Sequence, residues 1–245
     1  MTFNAMQNTA FSRTPWANSL LGALALGWLA ASNPANATAL TFENFAQGSQ
    51  TVSFTNTKPG LSETVNAGEM LFGMNDGGVT STLRAYCVDI FQEASSKAQN
   101  YTLVNGITHF GAEKAADLGR LFTEFDVWNG KTNITAQETG ALQMAVWEIV
   151  NETAKSQGAY KFDLSSGSFQ ASSTGKGTTA LAQSWLDGLG TANNWYQVSA
   201  YENATYQDYL ALNKVPEPGS LSLVLGALGS LGLVARRRKA KAVKG

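Results

Sequence analysis

The chain has 245 residues, with one cysteine, one histidine and a formal net charge of −1. Residues 38–214 hold ten Lys and Arg against seventeen Asp and Glu, a net charge of −7, because the other cations lie near the two ends. An acidic body without a basic stripe argues against nucleic-acid binding and against charge-driven adhesion to anionic lipid. One Cys and one His cannot build a zinc cage, and we predict neither a metal nor a cofactor.

The N-terminal segment is typical of a secretory signal peptide. An arginine precedes the apolar run Leu20–Ala31, and small residues then offer A-x-A cleavage sites ending at Ala37 or Ala39. The run is too short to span a bilayer comfortably, which disfavours an N-terminal membrane anchor. We therefore predict a signal peptide over residues 1–37 and an exported single domain over residues 38–214.

The first half of this domain has the pattern of short strands rich in Thr, Val and Phe, with Gly, Asn and Pro turns between them. The predicted strands are Leu40–Phe45, Thr51–Thr55, Glu63–Met74, Leu83–Phe91 and Asn100–Val104. The turn Asn75–Gly78 closes a hairpin and lacks the alternating acids of a calcium loop. Leu83–Phe91 is apolar on both faces, so we expect a central strand with Cys87 inside, paired with the strand at Asn100–Val104.

The period then changes from strand to helix. Helices are predicted over Gly111–Phe125, from the capping box at Thr135 to about Asn151, and over Thr179–Leu189, followed by strands at Tyr196–Tyr201 and Thr205–Leu212. The order of elements indicates an α+β domain. We expect a β-sheet or sandwich-like portion with an inserted bundle of about three helices, flanked by the signal peptide and a C-terminal transmembrane helix.

Cys87 and Gln143 stand out within these elements. On the second helix the predicted buried stripe is Thr139, Leu142, Val146, Ile149 and Val150, flanked by Gln143 and Trp147. A lone cysteine is usually a small hydrophobe, and a glutamine can bond the backbone. However, a free thiol in an exported protein invites oxidation, and a buried carboxamide costs a few kcal/mol without good hydrogen bonds. Both placements make sense if the two side chains meet.

A thiol that meets a carboxamide can displace ammonia from it and leave an internal thioester. Gln is long enough to reach from a helix to a strand. The residues expected to shield such a bond from water are Tyr86, Asp89, Phe91 and Trp147. An amine would then yield an amide on Gln143, and a hydroxyl an ester.

The segments Tyr86-Cys87-Val88-Asp89 and Leu142-Gln143-Met144-Ala145-Val146-Trp147 resemble the thioester domains of bacterial surface adhesins, described by a T-Q-x-A motif. The resemblance covers about residues 83–150. It implies that Cys87 is the sulfur donor and Gln143 the acyl donor. The chain departs from the motif at Leu142, where a threonine is usual.

The C-terminal segment, residues 215–245, has three parts: Val215–Gly219 with Pro216, Glu217 and Pro218, the apolar run Leu221–Ala235, and the cluster Arg236, Arg237 and Arg238. An apolar helix ended by cations is typical of a stop-transfer anchor that keeps the cluster in the cytoplasm. The segment also resembles the PEP-CTERM sorting signal of Gram-negative bacteria. This resemblance implies an exosortase-type membrane protease as partner, and sorting from the inner membrane to the cell surface or beyond.

We therefore predict covalent, single-turnover attachment to a surface protein or an extracellular polysaccharide, and not an enzyme. One alternative is non-covalent binding of carbohydrate or matrix by exposed aromatic residues, namely Trp128, Trp147, Trp185, Trp195, Tyr160, Tyr196, Tyr201 and Tyr206. A second is a cysteine-dependent hydrolase or transglutaminase with His109 as the base. Such enzymes normally place the cysteine at a helix N-terminus, whereas Cys87 lies in a predicted strand.

Overall fold

The structure, a computed structural model, describes residues 37–125, 133–153, 155–156, 159–191 and 194–214. The predicted signal peptide and C-terminal helix lie outside these ranges. The strands are β1 Thr38–Phe45, β2 Gln50–Asn56, β3 Leu61–Ala67, β4 Met70–Asp76, β5 Val79–Cys87, β6 Gln99–Asn105, β7 Lys155–Ser156, β8 Ala159–Tyr160, β9 Phe169–Ser173, β10 Tyr196–Glu202 and β11 Tyr209–Lys214. The helices are α1 Gly106–Phe110, α2 Ala112–Phe125, α3 Ala136–Asn151 and α4 Thr178–Gly188.

Six strands close into an antiparallel barrel in the order β1-β4-β5-β11-β10-β6. Its interior is aromatic: the ring of Tyr209 lies 4.5 Å from that of Phe72 and 5.5 Å from that of Tyr101, centroid to centroid. Closure gives every barrel strand two neighbours and so removes exposed edges. The predicted hairpin is confirmed, since Asn75–Gly78 joins β4 to β5 with Gly77 and Gly78 at positive φ.

A separate three-stranded sheet has the order β3-β2-β9. Along β2 the residues Val52, Phe54 and Asn56 are buried and alternate with exposed Thr and Ser. This alternation is that of a sheet with one covered face and one face in water. Helix α3 packs against the covered face, with the rings of Phe54 and Trp147 5.5 Å apart.

Helix α3 begins at the predicted capping box, in which Thr135 and Glu138 bond each other's main-chain N–H. Every residue from Thr139 to Ile149 is buried. The sequence predicted a one-sided buried stripe, but the barrel, the small sheet and α4 surround the helix. Gln143 therefore lies in the protein interior.

The mixed α/β character is confirmed, with a β-rich core and four helices in the described ranges. The sandwich-like arrangement is wrong, because the main sheet closes on itself. The predicted strand Glu63–Met74 is two strands, β3 and β4, divided at Gly68. A Cβ at Gly68 would lie 2.9 Å from Gly48 O, so the chain passes close to another main chain as it changes sheets.

Two further predictions about β5 are wrong. The strand ends at Cys87 instead of Phe91, because the Asp89 side chain accepts a hydrogen bond from the main-chain N–H of Phe91 and turns the chain. Its neighbours are β4 and β11, whereas β6 pairs with β1 and β10. Within the described residues no helix has both the length and the apolar character to cross a membrane.

Candidate functional site

Cys87 is the last residue of β5 and is fully buried. On one side β11 continues past it, since Cys87 is opposite Tyr209 and the N–H of Val88 donates to Asp208 O. On the other side the pairing with β4 stops two residues earlier, at Met70 opposite Ala85. Main-chain groups alternate in direction along a strand, so the N–H and C=O of Cys87 point to the side where β4 has ended.

Gln143 fills this gap from α3. The N–H of Cys87 donates to Gln143 Oε1 at 2.9 Å, and Gln143 Nε2 donates to the Cys87 carbonyl at 2.8 Å. The carboxamide thus binds the cysteine as a paired strand would, and it is fully buried. The two hydrogen bonds offset the cost of burying a carboxamide in an apolar core. The two residues singled out by the sequence are therefore in direct contact.

The thiol of Cys87 donates to Asp89 O at 3.2 Å. Burial raises the pKa of this thiol well above its usual range, and the nearby indole N–H of Trp147 acts against that rise. Cys87 is consequently protonated at neutral pH. Within the described chain, Trp147 Nε1 is a buried donor without a hydrogen-bond partner of normal geometry.

The other predicted shielding residues occupy different places. Tyr86 is fully buried but lies on the opposite side of the strand, with its ring 5.5 Å from that of Phe122. Asp89 is half-buried and supplies the carbonyl that accepts the thiol proton. Phe91 is 51% exposed and lines a groove beside the site. Of these four residues, Trp147 is the one whose side chain lies near the thiol.

His109 lies in α1, where Nδ1 is 2.5 Å from Glu202 Oε1. The Cys87 thiol bonds Asp89 O, and no hydrogen bond joins His109 to Cys87 among the described residues. The hydrolase or transglutaminase alternative therefore has no support from the geometry. In the same ranges, no group of three or more His, Cys, Asp and Glu side chains could hold a metal ion.

Four of the eight aromatic residues considered for carbohydrate binding are buried. Trp147, Trp185, Tyr196 and Tyr201 are buried, whereas Trp195 is 48% exposed. Trp128 lies outside the described residues. Half of these rings thus belong to the core, as is usual for large aromatic side chains, and Tyr160 and Tyr206 are half-buried.

Two buried carboxylates that the sequence did not reveal lie one turn apart at the end of α3, Glu148 within the helix and Glu152 as its C-cap. Glu148 accepts from the N–H of Asp163, and Glu152 accepts from the N–H and the hydroxyl of Ser168. Burial raises the pKa of Glu148 to about 8. Acids at i,i+4 within an otherwise apolar helical run are the signal that could have revealed them. They fix the segment that includes β9 to the helix that carries Gln143.

Among solved structures, the chain is similar to the N-terminal domain of the Streptococcus pyogenes pilus tip adhesin Cpa, with 15% sequence identity, a TM-score of 0.41 and coverage of 71% of this chain and 99% of that chain. It is also similar to the N-terminal thioester domain of fibronectin-binding protein SfbI from Streptococcus pyogenes, with 14% identity, a TM-score of 0.41 and coverage of 76% and 97%. No curated protein matches the chain.

A comparison with protein families finds the PEP-CTERM protein-sorting motif over residues 214–239. This match confirms the predicted PEP-CTERM resemblance, and its range contains Pro216, Glu217 and Pro218 and the arginine cluster. The motif implies export, and sorting at the membrane by an exosortase in a Gram-negative bacterium. Residues 214–239 are thus a PEP-CTERM sorting motif, on a chain whose described domain carries a buried Cys–Gln pair.

Proposed function

We propose that Cys87 and Gln143 form an internal thioester, and that the exported domain uses it to attach itself covalently to a nucleophile outside the cell. The observation that carries this proposal is the two-point contact between the Gln143 carboxamide and the Cys87 main chain, at 2.9 and 2.8 Å. This contact holds the electrophilic carbon next to the residue that bears the thiol. Such positioning supplies much of the advantage of an intramolecular reaction.

Thioester formation needs a donor for the oxygen that gains negative charge. The main-chain N–H of Cys87 already donates to Gln143 Oε1, so the donor is in place before the reaction. The sulfur attacks the carboxamide carbon, the C–N bond breaks, and nitrogen leaves as ammonia. The thiol is protonated in the resting state, and its proton is the one that the departing nitrogen takes up.

Burial of both residues keeps water away from the bond. When an amine attacks the thioester carbon, the C–S bond breaks, an amide forms with the Gln143 acyl group, and the Cys87 sulfur receives a proton. A hydroxyl gives an ester in the same way. The acyl group remains on the partner, so each molecule reacts once and the protein is not an enzyme. The target is a surface protein or an extracellular polysaccharide.

Intact-protein mass spectrometry tests the proposal. The exported wild-type protein is expected to be lighter by one ammonia than its sequence requires, and Cys87 should not be alkylated because its sulfur is acylated. Cys87→Ala should have its full sequence mass, and Gln143→Glu should keep a free thiol. A wild-type protein of full sequence mass whose thiol is alkylated on unfolding would contradict thioester formation.

A further inference from the structure

A groove of about 580 Å³ lies beside the Cys–Gln pair, between β3 and the barrel. Ten of its fifteen lining residues are apolar and five of these are aromatic; the apolar ones include Phe42, Phe45, Phe54, Leu61, Val65 and Trp147. We call it the aromatic groove. Phe42, Phe45, Leu61 and Val65 are only partly buried, so apolar surface remains open to a ligand.

The groove runs along a free sheet edge. Strand β3 pairs with β2 on one side, and the described residues place no strand on its other side. Leu61, Glu63 and Val65 alternate along β3 and line the groove. A free edge presents unpaired N–H and C=O groups, which an extended segment of another chain can bind as an added strand.

The polar groups of the groove favour a ligand that carries positive charge and hydrogen-bond donors. Its ionisable lining residues are Glu63 and Glu93, and no Lys, Arg or His occurs among the described residues that line it. Gln92 and Gln207 also line it, and each has a buried Oε1 that lacks a hydrogen-bond partner in the described chain. Two carboxylates and two unpaired acceptors complement a ligand with ammonium and N–H groups.

Two residues that line the groove are neighbours of the Cys–Gln pair. Trp147 forms part of its wall, and the same indole lies near the Cys87 thiol. Met70, another lining residue, is paired with Ala85, two residues before Cys87 on β5. A segment bound in the groove therefore contacts Trp147, the wall residue that lies between the groove and the Cys87 thiol.

From these four observations we infer that the aromatic groove binds an extended cationic peptide, which adds to the edge of β3 and brings an amino group to the Cys87–Gln143 thioester. The inference rests on the proposed function for the covalent step, but the docking does not require it. The amine attacks the Gln143 carbonyl carbon, the C–S bond breaks, the new amide holds the peptide, and the proton lost by the amine goes to Cys87.

Docking is tested with the full chain in detergent, carrying Cys87→Ala so that no covalent bond can form. The probe is a fluorescent peptide of eight residues, alternating valine and lysine and blocked at both ends. It should bind saturably in fluorescence anisotropy, and Glu63→Lys should weaken binding by about tenfold or more. Thr64→Lys is the matched control, because it adds the same charge to the opposite face of the same strand and should bind as its parent does.

A second probe has the same sequence with alternate backbone amides N-methylated. It keeps its charge and loses the donors of an added strand, so it should bind at least about tenfold more weakly. Equal binding of the two probes, or equal loss in Glu63→Lys and Thr64→Lys, would overturn the inference. If the Cys87→Ala chain binds the peptide but wild type gives no adduct with it or with methylamine, the docking stands and the thioester proposal fails.

Discussion

The carboxamide of Gln143 makes two hydrogen bonds with the main chain of Cys87: the N–H of Cys87 donates to Gln143 Oε1, and Gln143 Nε2 donates to the Cys87 carbonyl. The carboxamide thus occupies the position that a continued β4 would have taken. One side chain thus completes the sheet and places an electrophile beside the only thiol of the chain. We expect this contact to contribute both to stability and to the proposed thioester formation.

Gln143→Ala removes both hydrogen bonds and leaves the N–H and C=O of Cys87 buried without partners. We expect the free energy of unfolding to fall by about 3 kcal/mol, from unpaired polar groups and a cavity together. Urea unfolding measures this in a Cys87→Ala background, which keeps the main-chain groups of residue 87 and cannot form a thioester. Gln137→Ala, an exposed position on the same helix, should change stability by less than about 0.5 kcal/mol. Equal effects at the two positions would show that the paired geometry contributes nothing.

Trp147→Phe keeps an aromatic ring in the core but removes the indole N–H that lies near the Cys87 thiol. One hydrogen bond to a charged group is worth about 1.5–3 kcal/mol, so thioester formation after refolding should slow by about ten- to a hundredfold. The loss of ammonia, followed by mass spectrometry, measures the rate. The buried Trp185 of α4 is the control, since Trp185→Phe should change stability without slowing the reaction to this extent.

Glu148 should make stability depend on pH. Burial raises its pKa from 4.5 to about 8 in the folded state, so folding takes up a proton between these values. The stabilising effect of the proton is complete below about pH 4.5, and it is lost as the pH rises towards 8. The change amounts to about 2–4 kcal/mol. Urea unfolding at pH 5 and pH 9 should show this difference in wild type and a much smaller one in Glu148→Gln. If the free energy of unfolding of Glu148→Gln depends on pH as strongly as that of wild type, the pH dependence comes from another group.

Gly119 of α2 lies against β10, and a Cβ there would be 2.5 Å from the main-chain oxygen of Tyr196. Main chain cannot yield as a flexible side chain can, so Gly119→Ala should lower the free energy of unfolding by about 1–3 kcal/mol. Gly190→Ala is the control, because nothing lies within 4 Å of a Cβ at that position. A Gly119→Ala protein as stable as Gly190→Ala would contradict the close packing of α2 on the barrel.

Much of the local structure followed from the sequence. The Asn75–Gly78 hairpin and the capping box at Thr135 are short-range patterns, and the structure has both where they were predicted. The helix Ala112–Phe125 has the charged and apolar faces of a helix packed on one side, and its predicted bounds differ from the observed ones by one residue. Such features depend on neighbouring residues alone.

The sequence was less informative where distant segments compete. The end of β5 depends on a hydrogen bond that the Asp89 side chain accepts from the N–H of Phe91, and the break between β3 and β4 depends on the close approach of Gly48 to Gly68. The closure of the sheet into a barrel depends on pairings between β1 and β6 and between β5 and β11, which join strands far apart in the chain. Apolar residues on both faces of one strand indicate that both faces are covered, but they do not show which elements cover them.

The sequence by itself determined that Cys87 is the one cysteine of the chain and lies in a strand, and that Gln143 belongs to a capped apolar helix. It also determined that residues 214–239 form a sorting motif. Residue types and periodicity carry that information. Only the tertiary structure decided that the pairing with β4 ends at Ala85, two residues before Cys87, so that the Gln143 carboxamide takes the place of a strand. The physical reason is that buried main-chain groups must be paired, and the partner available to Cys87 is set by the packing of α3 against the barrel.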